Sequence, residues 1–196
     1  MSAPELGGLE WLPEGLVAPV DDGACAHLPG LRLPALTLPS TGGAPVDLSG
    51  LPGRTVLYAY PRTGQPGKPL PTDWDVIPGA RGCTPQSCAF RDHHAELAAA
   101  GARVFGLSTQ GTAYQAEAAG RLHLPFPLLS DAELRFARAL ELPTFQVDGM
   151  TLLRRVTLIL RDGIIRKIFY PVFPPDQNAA QVLAWLAENT CAPTVS

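Results

Sequence analysis

Apolar positions along the chain fall into short runs separated by glycine- and proline-rich stretches. Thr55-Val-Leu-Tyr-Ala-Tyr60 and Arg103-Val-Phe-Gly-Leu-Ser108 are β-rich and do not alternate, the pattern of strands covered on both faces. Between them, residues 84–100 carry Phe90, His94, Leu97 and several alanines in a helical pattern that Gly101 stops. Thr112–Leu122 predicts a second helix and Pro127–Ser130 a short strand, after which Asp131 caps a helix over Ala132–Leu140. Arg155–Leu160 and Ile164–Tyr170 flank Asp162-Gly163, a preferred turn pair, and predict a hairpin. Asn178–Asn189 closes the chain as a helix with Val182, Leu183 and Leu186 on its core face. Toward the N-terminus, Leu33–Leu38 reads as a proline-bearing edge strand, Ser40–Pro45 as a turn and Val46–Leu48 as a brief strand. Residues 1–30 read as an irregular arm packed on the domain, with a short helix near Glu10–Val17. The order of elements predicts one α/β three-layer domain over 31–196, a mixed central sheet flanked by helices.

A length of 196 residues suits one core better than two. With 46% apolar and 17% charged residues the chain is not a disordered one. A net charge of −3 and no Lys/Arg cluster argue against a nucleic-acid surface. No apolar run reaches the roughly 18 residues of a membrane span, and the first residues carry neither the basic nor the apolar segment of a secretory signal. The expectation is a cytoplasmic protein with no nucleic-acid or membrane partner. Structural disulfides are uncommon in that compartment, so a close cysteine pair there points to redox chemistry.

Of the four cysteines, Cys83 and Cys88 form such a pair. Pro61–Ala80, with five prolines and three glycines, is a long connection leading straight to them, and such loops are usually functional or disordered. Gly82-Cys83-Thr84-Pro85 reads as a helix start, with the Thr84 hydroxyl as cap and proline where no intrahelical N–H is needed. A thiol at that point faces unpaired backbone N–H groups and the positive end of the helix dipole, both of which favour the anionic, nucleophilic sulfur. Cys83, Cys88, His93 and His94 do not have tetrahedral zinc spacing, so neither metal nor cofactor is expected. Trp74 is either an aromatic lid or a packing anchor. Cys25 and Cys191 read as inert, with a bridge between them, or Cys191 as a second resolving thiol, as the lesser options.

Tyr60-Pro61, Gly82-Cys83-Thr84-Pro85-Gln86-Ser87-Cys88, Phe90-Arg91-Asp92, Val104–Ser108, Phe126–Asp131 and Arg155–Leu160 before Asp162-Gly163, in this order and spacing, resemble a peroxiredoxin. The similarity is to the bacterioferritin-comigratory or Q type. It implies a thioredoxin-like fold and reduction of hydrogen peroxide and organic hydroperoxides. It further implies Cys83 as the peroxidatic cysteine, Cys88 as the resolving one and a Cys83–Cys88 disulfide. Arg155 is implied as the arginine reaching the site from a distant strand, and Pro61 as the proline shielding the thiol. Thioredoxin or glutaredoxin/glutathione is the implied reductant, and the chain is expected as a monomer or homodimer. One departure stands out. The family's proline and threonine, seven and three residues before the reactive cysteine, are replaced by Val76 and Ala80, so the hydroxyl falls to Thr63, Thr72 or Thr84.

Residues five apart in an intact helix have Cα atoms about 8–9 Å apart, beyond the roughly 7 Å a disulfide tolerates. Joining Cys83 to Cys88 therefore requires the start of the helix to unwind. The altered threonine position keeps open an alternative, a peroxide sensor or redox adaptor of low turnover. A thiol–disulfide oxidoreductase ranks last, because the Cys-x-x-Cys of that class is absent.

Overall fold

The computed structural model describes residues 12–189. Its elements in chain order are β1 (Thr37–Leu38), β2 (Val46–Asp47), β3 (Arg54–Ala59), α1 (Cys83–Asp92), α2 (His94–Ala99), β4 (Ala102–Ser108), α3 (Thr112–Arg121), β5 (Leu128–Ser130), α4 (Arg135–Ala139), β6 (Thr144–Val147), β7 (Met150–Leu153), β8 (Val156–Arg161), β9 (Ile164–Phe169) and α5 (Asn178–Glu188). Five strands form a mixed sheet in the order β5-β4-β3-β8-β9, parallel on the β5 side of β3 and antiparallel on the β8 side. The two apolar runs that lack alternation become β3 and β4, two of the three inner strands. Along β3 and just past it, Val56, Tyr58 and Tyr60 enter one core while Leu57 and Ala59 enter another. The first core holds Phe90, Leu97, Val182 and Leu186 from α1, α2 and α5. The second is closed by Phe136 and Ala137 of α4 and by Cys25, Leu28 and Leu33 from the N-terminal stretch. Both faces are covered, which gives the expected three layers.

Several local expectations need correction. The helix expected over 84–100 is two helices that meet at His93 (φ −94°, ψ 8°), whose ring pairs with Glu96 at 2.9 Å. Asp131 does cap a helix, accepting from the amides of Phe136 and Ala137 at 3.0 and 2.8 Å, but α4 begins only at Arg135 because Ala132–Leu134 form a turn. The strand expected over Leu33–Leu38 shrinks to two residues next to Pro39. Residues 12–17 hold a turn and no helix, and the rest of the segment expected as one lies outside the described residues, as does Cys191. The hairpin of β6 and β7 was not anticipated, although Asp148-Gly149 at its tip is the same turn pair that marks β8–β9.

That hairpin explains the long connection after β3. Trp74 and Ala80 are buried with Val147 and Leu152 in a third, smaller core, with Leu70, Ile77, Phe145 and Met150 around it. The Trp74 and Phe145 rings lie 6.2 Å apart, and the Thr72 amide donates to Asp148 at 2.9 Å. Trp74 is thus an anchor for the loop. Among the described residues no helix is long and apolar enough to cross a membrane.

Candidate active site

Cys83 is the first residue of α1 and is 3% exposed. The preceding residue, Gly82, has φ 102° and ψ 18°, a conformation that costs an L side chain energy. A Cβ there would also collide with Pro175 and lie 2.7 Å from Leu12. The Thr84 hydroxyl is not the cap: Gly82 occupies the cap position with no side-chain hydrogen bond, and Thr84 is the second helical residue. The sulfur consequently starts the helix itself, beside first-turn amides that have no intrahelical acceptor.

Three contacts define the sulfur's surroundings. Arg155 Nη2 donates to Cys83 Sγ at 3.3 Å, and the Arg62 amide donates to it at 3.4 Å. The thiol in turn donates to the Ala80 carbonyl at 3.5 Å. Arg155 stands in the link between β7 and β8 and is 3% exposed. Its Nη2 also reaches the carbonyls of Gly79, Ala80 and Arg81 at 3.3, 3.3 and 3.2 Å, and its Nη1 donates to Gln86 Oε1. Gln86 Nε2 donates to Asn178 Oδ1 at 3.0 Å, and Thr157 Oγ1 donates to the same oxygen at 2.7 Å. Arg155 is therefore fixed from α1, α5 and the returning end of the loop. Arg155 also borders a small crevice with Pro19, Pro78, Phe145 and Pro171.

The two cysteines of the pair both lie on α1, both reduced. Cys88 is half-buried one and a half turns beyond Cys83, and between them Ser87 accepts from the buried Tyr58 hydroxyl at 3.1 Å. Burial pushes the Tyr58 phenol well above its ordinary value, so it remains a neutral donor that ties α1 to β3. Pro61 is buried and directly precedes Arg62, whose amide meets the sulfur. The fold thus gathers Cys83, Arg155 and the Pro61–Arg62 turn, with Cys88 on the same helix.

Of the three threonines, Thr72 stands exposed with its amide on Asp148 of the β6–β7 turn. Thr63 is fully buried, its hydroxyl donating to Gln110 at 3.2 Å, and Thr84 is buried next to Cys83. The two histidines near the pair are engaged elsewhere, His93 with Glu96 and His94 against the Phe126 ring. Sequence reasoning overlooked Gln86, Gln110 and Asn178. Gln86 could have been found, since three residues beyond Cys83 is one helical turn along the same face; nothing local marks the other two.

A family model described as Redoxin matches residues 28–183. The chain is 33% identical over 156 residues to "Peroxiredoxin Q, chloroplastic" of Oryza sativa subsp. japonica, covering 79% of this chain and 64% of that protein, slightly under two thirds of its length. To "Peroxiredoxin Q, chloroplastic" of Sedum lineare it is 32% identical over 159 residues, covering 80% of this chain and 76% of that one. The crystal structure of peroxidoxin BcpB from Mycobacterium tuberculosis matches with a TM-score of 0.67 at 28% identity, over 83% of this chain and 98% of that one. The bacterioferritin comigratory protein of Xanthomonas campestris shares the fold, with a TM-score of 0.63 at 21% identity over 90% and 99% of the two chains.

Proposed function

Because the chain belongs to the redoxin family, among the peroxiredoxins of Q type, we propose that it is a thiol peroxidase for hydrogen peroxide and organic hydroperoxides. The observation that carries this reading is the Cys83 sulfur held between a guanidinium N–H and a backbone N–H, two donors converging on one buried sulfur. That sulfur attacks the distal peroxide oxygen, forming an S–O bond and breaking O–O. The electron pair leaves on the departing oxygen, which takes a proton to become water or an alcohol. Arg155 is fixed in place beforehand and stabilises the charge developing on that oxygen. Pro61, buried directly before the Arg62 donor, has the role of shielding the sulfur.

The Cys88 thiol then attacks the Cys83 sulfenic acid, forming a disulfide and releasing water. With both residues on α1, this step needs the first turns to unwind, breaking the Gln86–Arg155 and Ser87–Tyr58 contacts. Two thiols of an external reductant, thioredoxin or glutaredoxin/glutathione, restore the pair by exchange. The reading treats residues 1–30 as an arm and 31–196 as the catalytic domain, acting as a monomer or homodimer in the cytoplasm, where such reductants are present.

Mass spectrometry after one equivalent of peroxide tests it. Cys83→Ser should show no oxidation, and Cys88→Ser should stop at the Cys83 sulfenic acid, with over-oxidised Cys83 accumulating once further equivalents are added. Oxidation persisting in Cys83→Ser would overturn the assignment. A sensor of low turnover is the second reading, favoured by Ala80 where the family has threonine and by a Thr63 hydroxyl committed to Gln110. Steady-state peroxide consumption with a thioredoxin couple separates the two, a sensor giving a single stoichiometric oxidation.

A further inference from the structure

The loop between Pro61 and Ala80 splits the set of donors around Cys83 into two limbs that must each be held in place. Arg155 holds the returning limb through the carbonyls of Gly79, Ala80 and Arg81. The outgoing limb supplies the Arg62 amide, and no carbonyl of that limb is bonded to Arg155. What fixes it is a buried polar cluster at the end of β4. Gln110, 4% exposed, accepts from both the amide and the hydroxyl of Thr63 at 3.0 and 3.2 Å, and its Nε2 donates back to the Thr63 carbonyl at 3.4 Å. Gln110 is itself held: Ser108 Oγ donates to its Oε1 at 3.3 Å and Ser130 Oγ to its carbonyl at 2.7 Å. From α3, Tyr114 donates to the Thr63 carbonyl at 2.9 Å and Arg121 to the Gly64 carbonyl at 2.9 Å. The Arg62 guanidinium lies 4.5 Å over the Tyr114 ring.

A side-chain amide that binds one residue's N–H, hydroxyl and carbonyl together fixes that residue's position and the orientation of its peptide planes. Thr63 is the neighbour of Arg62, so its placement sets where the Arg62 N–H points. We infer that Gln110 is a positioning residue for peroxide reduction: through Thr63 it aims the Arg62 amide at the Cys83 sulfur, and it does so in a chain whose donor loop is interrupted. In this arrangement the Thr63 hydroxyl is part of the clamp and does not touch peroxide. The inference deepens the peroxidase reading above and rests on it.

Stopped-flow kinetics on the full chain test it, because oxidation of Cys83 is first order in peroxide whereas disulfide formation is a unimolecular step independent of it. Gln110→Ala is expected to slow oxidation about tenfold or more, since a misaimed donor costs rate steeply, and to leave the disulfide step within about twofold. Thr63→Val keeps the amide on Gln110 and should slow oxidation by about threefold, less than Gln110→Ala, and Thr63→Ser should restore the parent rate. Alkylation of Cys83 by iodoacetamide, which involves no peroxide, should slow in the same order. Gln110→Ala oxidising at the parent rate overturns the inference. So does an equal slowing of oxidation and disulfide formation, which marks a merely structural role. Thr63→Val slower than Gln110→Ala also overturns it, in favour of a hydroxyl acting directly. Should Gln110→Ala fail to fold, Tyr114→Phe decides, with oxidation about threefold slower supporting the inference and an unchanged rate refuting it. If the parent chain does not react with peroxide, the peroxidase reading fails by itself and the alkylation series still reports on the clamp.

Discussion

Cys25 and Cys83 are buried almost equally, 5% and 3% exposed, on opposite faces of one sheet. Their surroundings are opposed. Cys83 meets a guanidinium and a backbone amide. Cys25 lies in an apolar core with Asp22 and Asp21 nearby, and burial first, then these two carboxylates, pushes its thiol up to about 12. Burial alone says nothing about the reactivity of a cysteine; the sign of the charge and the donors waiting inside decide it.

The largest effect should come from removing what distinguishes the two sites. Arg155→Met keeps the bulk of the side chain and deletes the donors to Cys83, Gln86 and three carbonyls, so oxidation of Cys83 should slow about a hundredfold or more. Stopped-flow rates within tenfold of the parent would mean that the guanidinium does not separate Cys83 from Cys25. Next comes the turn that delivers the sulfur to the helix start. Gly82→Ala forces a Cβ onto Pro175 and Leu12 at φ 102° and should cost roughly 1–3 kcal/mol in urea unfolding. If the first turn of α1 must open for Cys88 to react, the same variant should speed disulfide formation from the sulfenic acid. A slower step would argue that opening is not required.

The smallest effects belong to Cys25. Cys25→Ala should leave peroxide kinetics within about twofold and lose roughly 1 kcal/mol of stability from the vacated volume. Cys25 also leaves a signature in alkali. Its folded thiol holds its proton more tightly than an unfolded one, so the stabilisation is complete below the ordinary thiol range. It is lost as pH rises from about 9 toward 12. Urea midpoints measured over that range should fall more steeply in the parent than in Cys25→Ala. Parallel curves would remove Cys25 from the alkaline transition.

What the sequence disclosed follows from how local each signal is. β3 and β4 were legible because uninterrupted apolar runs have few other uses, and Asp162-Gly163 announced its hairpin. Asp148-Gly149 carried the same announcement, but the strands on either side have four residues each, too short for their pattern to stand out. The bend at His93 was hidden because His93 and His94 interrupt no helical periodicity. At the site, Cys83 and Arg155 were recognisable from a family pattern. Gln110 and Asn178, 27 and 95 positions beyond Cys83, take their importance only from what folding brings beside them.

The bend at His93 sets a boundary for motion. Because α1 ends there, melting of the turns around Cys83 need not propagate along a continuous rod into α2, whose Leu97 is fully buried. An opening of the proposed kind would thereby be confined to the ten residues of α1. Under the proposed disulfide step, amide exchange should divide at this bend, rapid upstream while peroxide is present and protected downstream, a small door in a wall that stays standing.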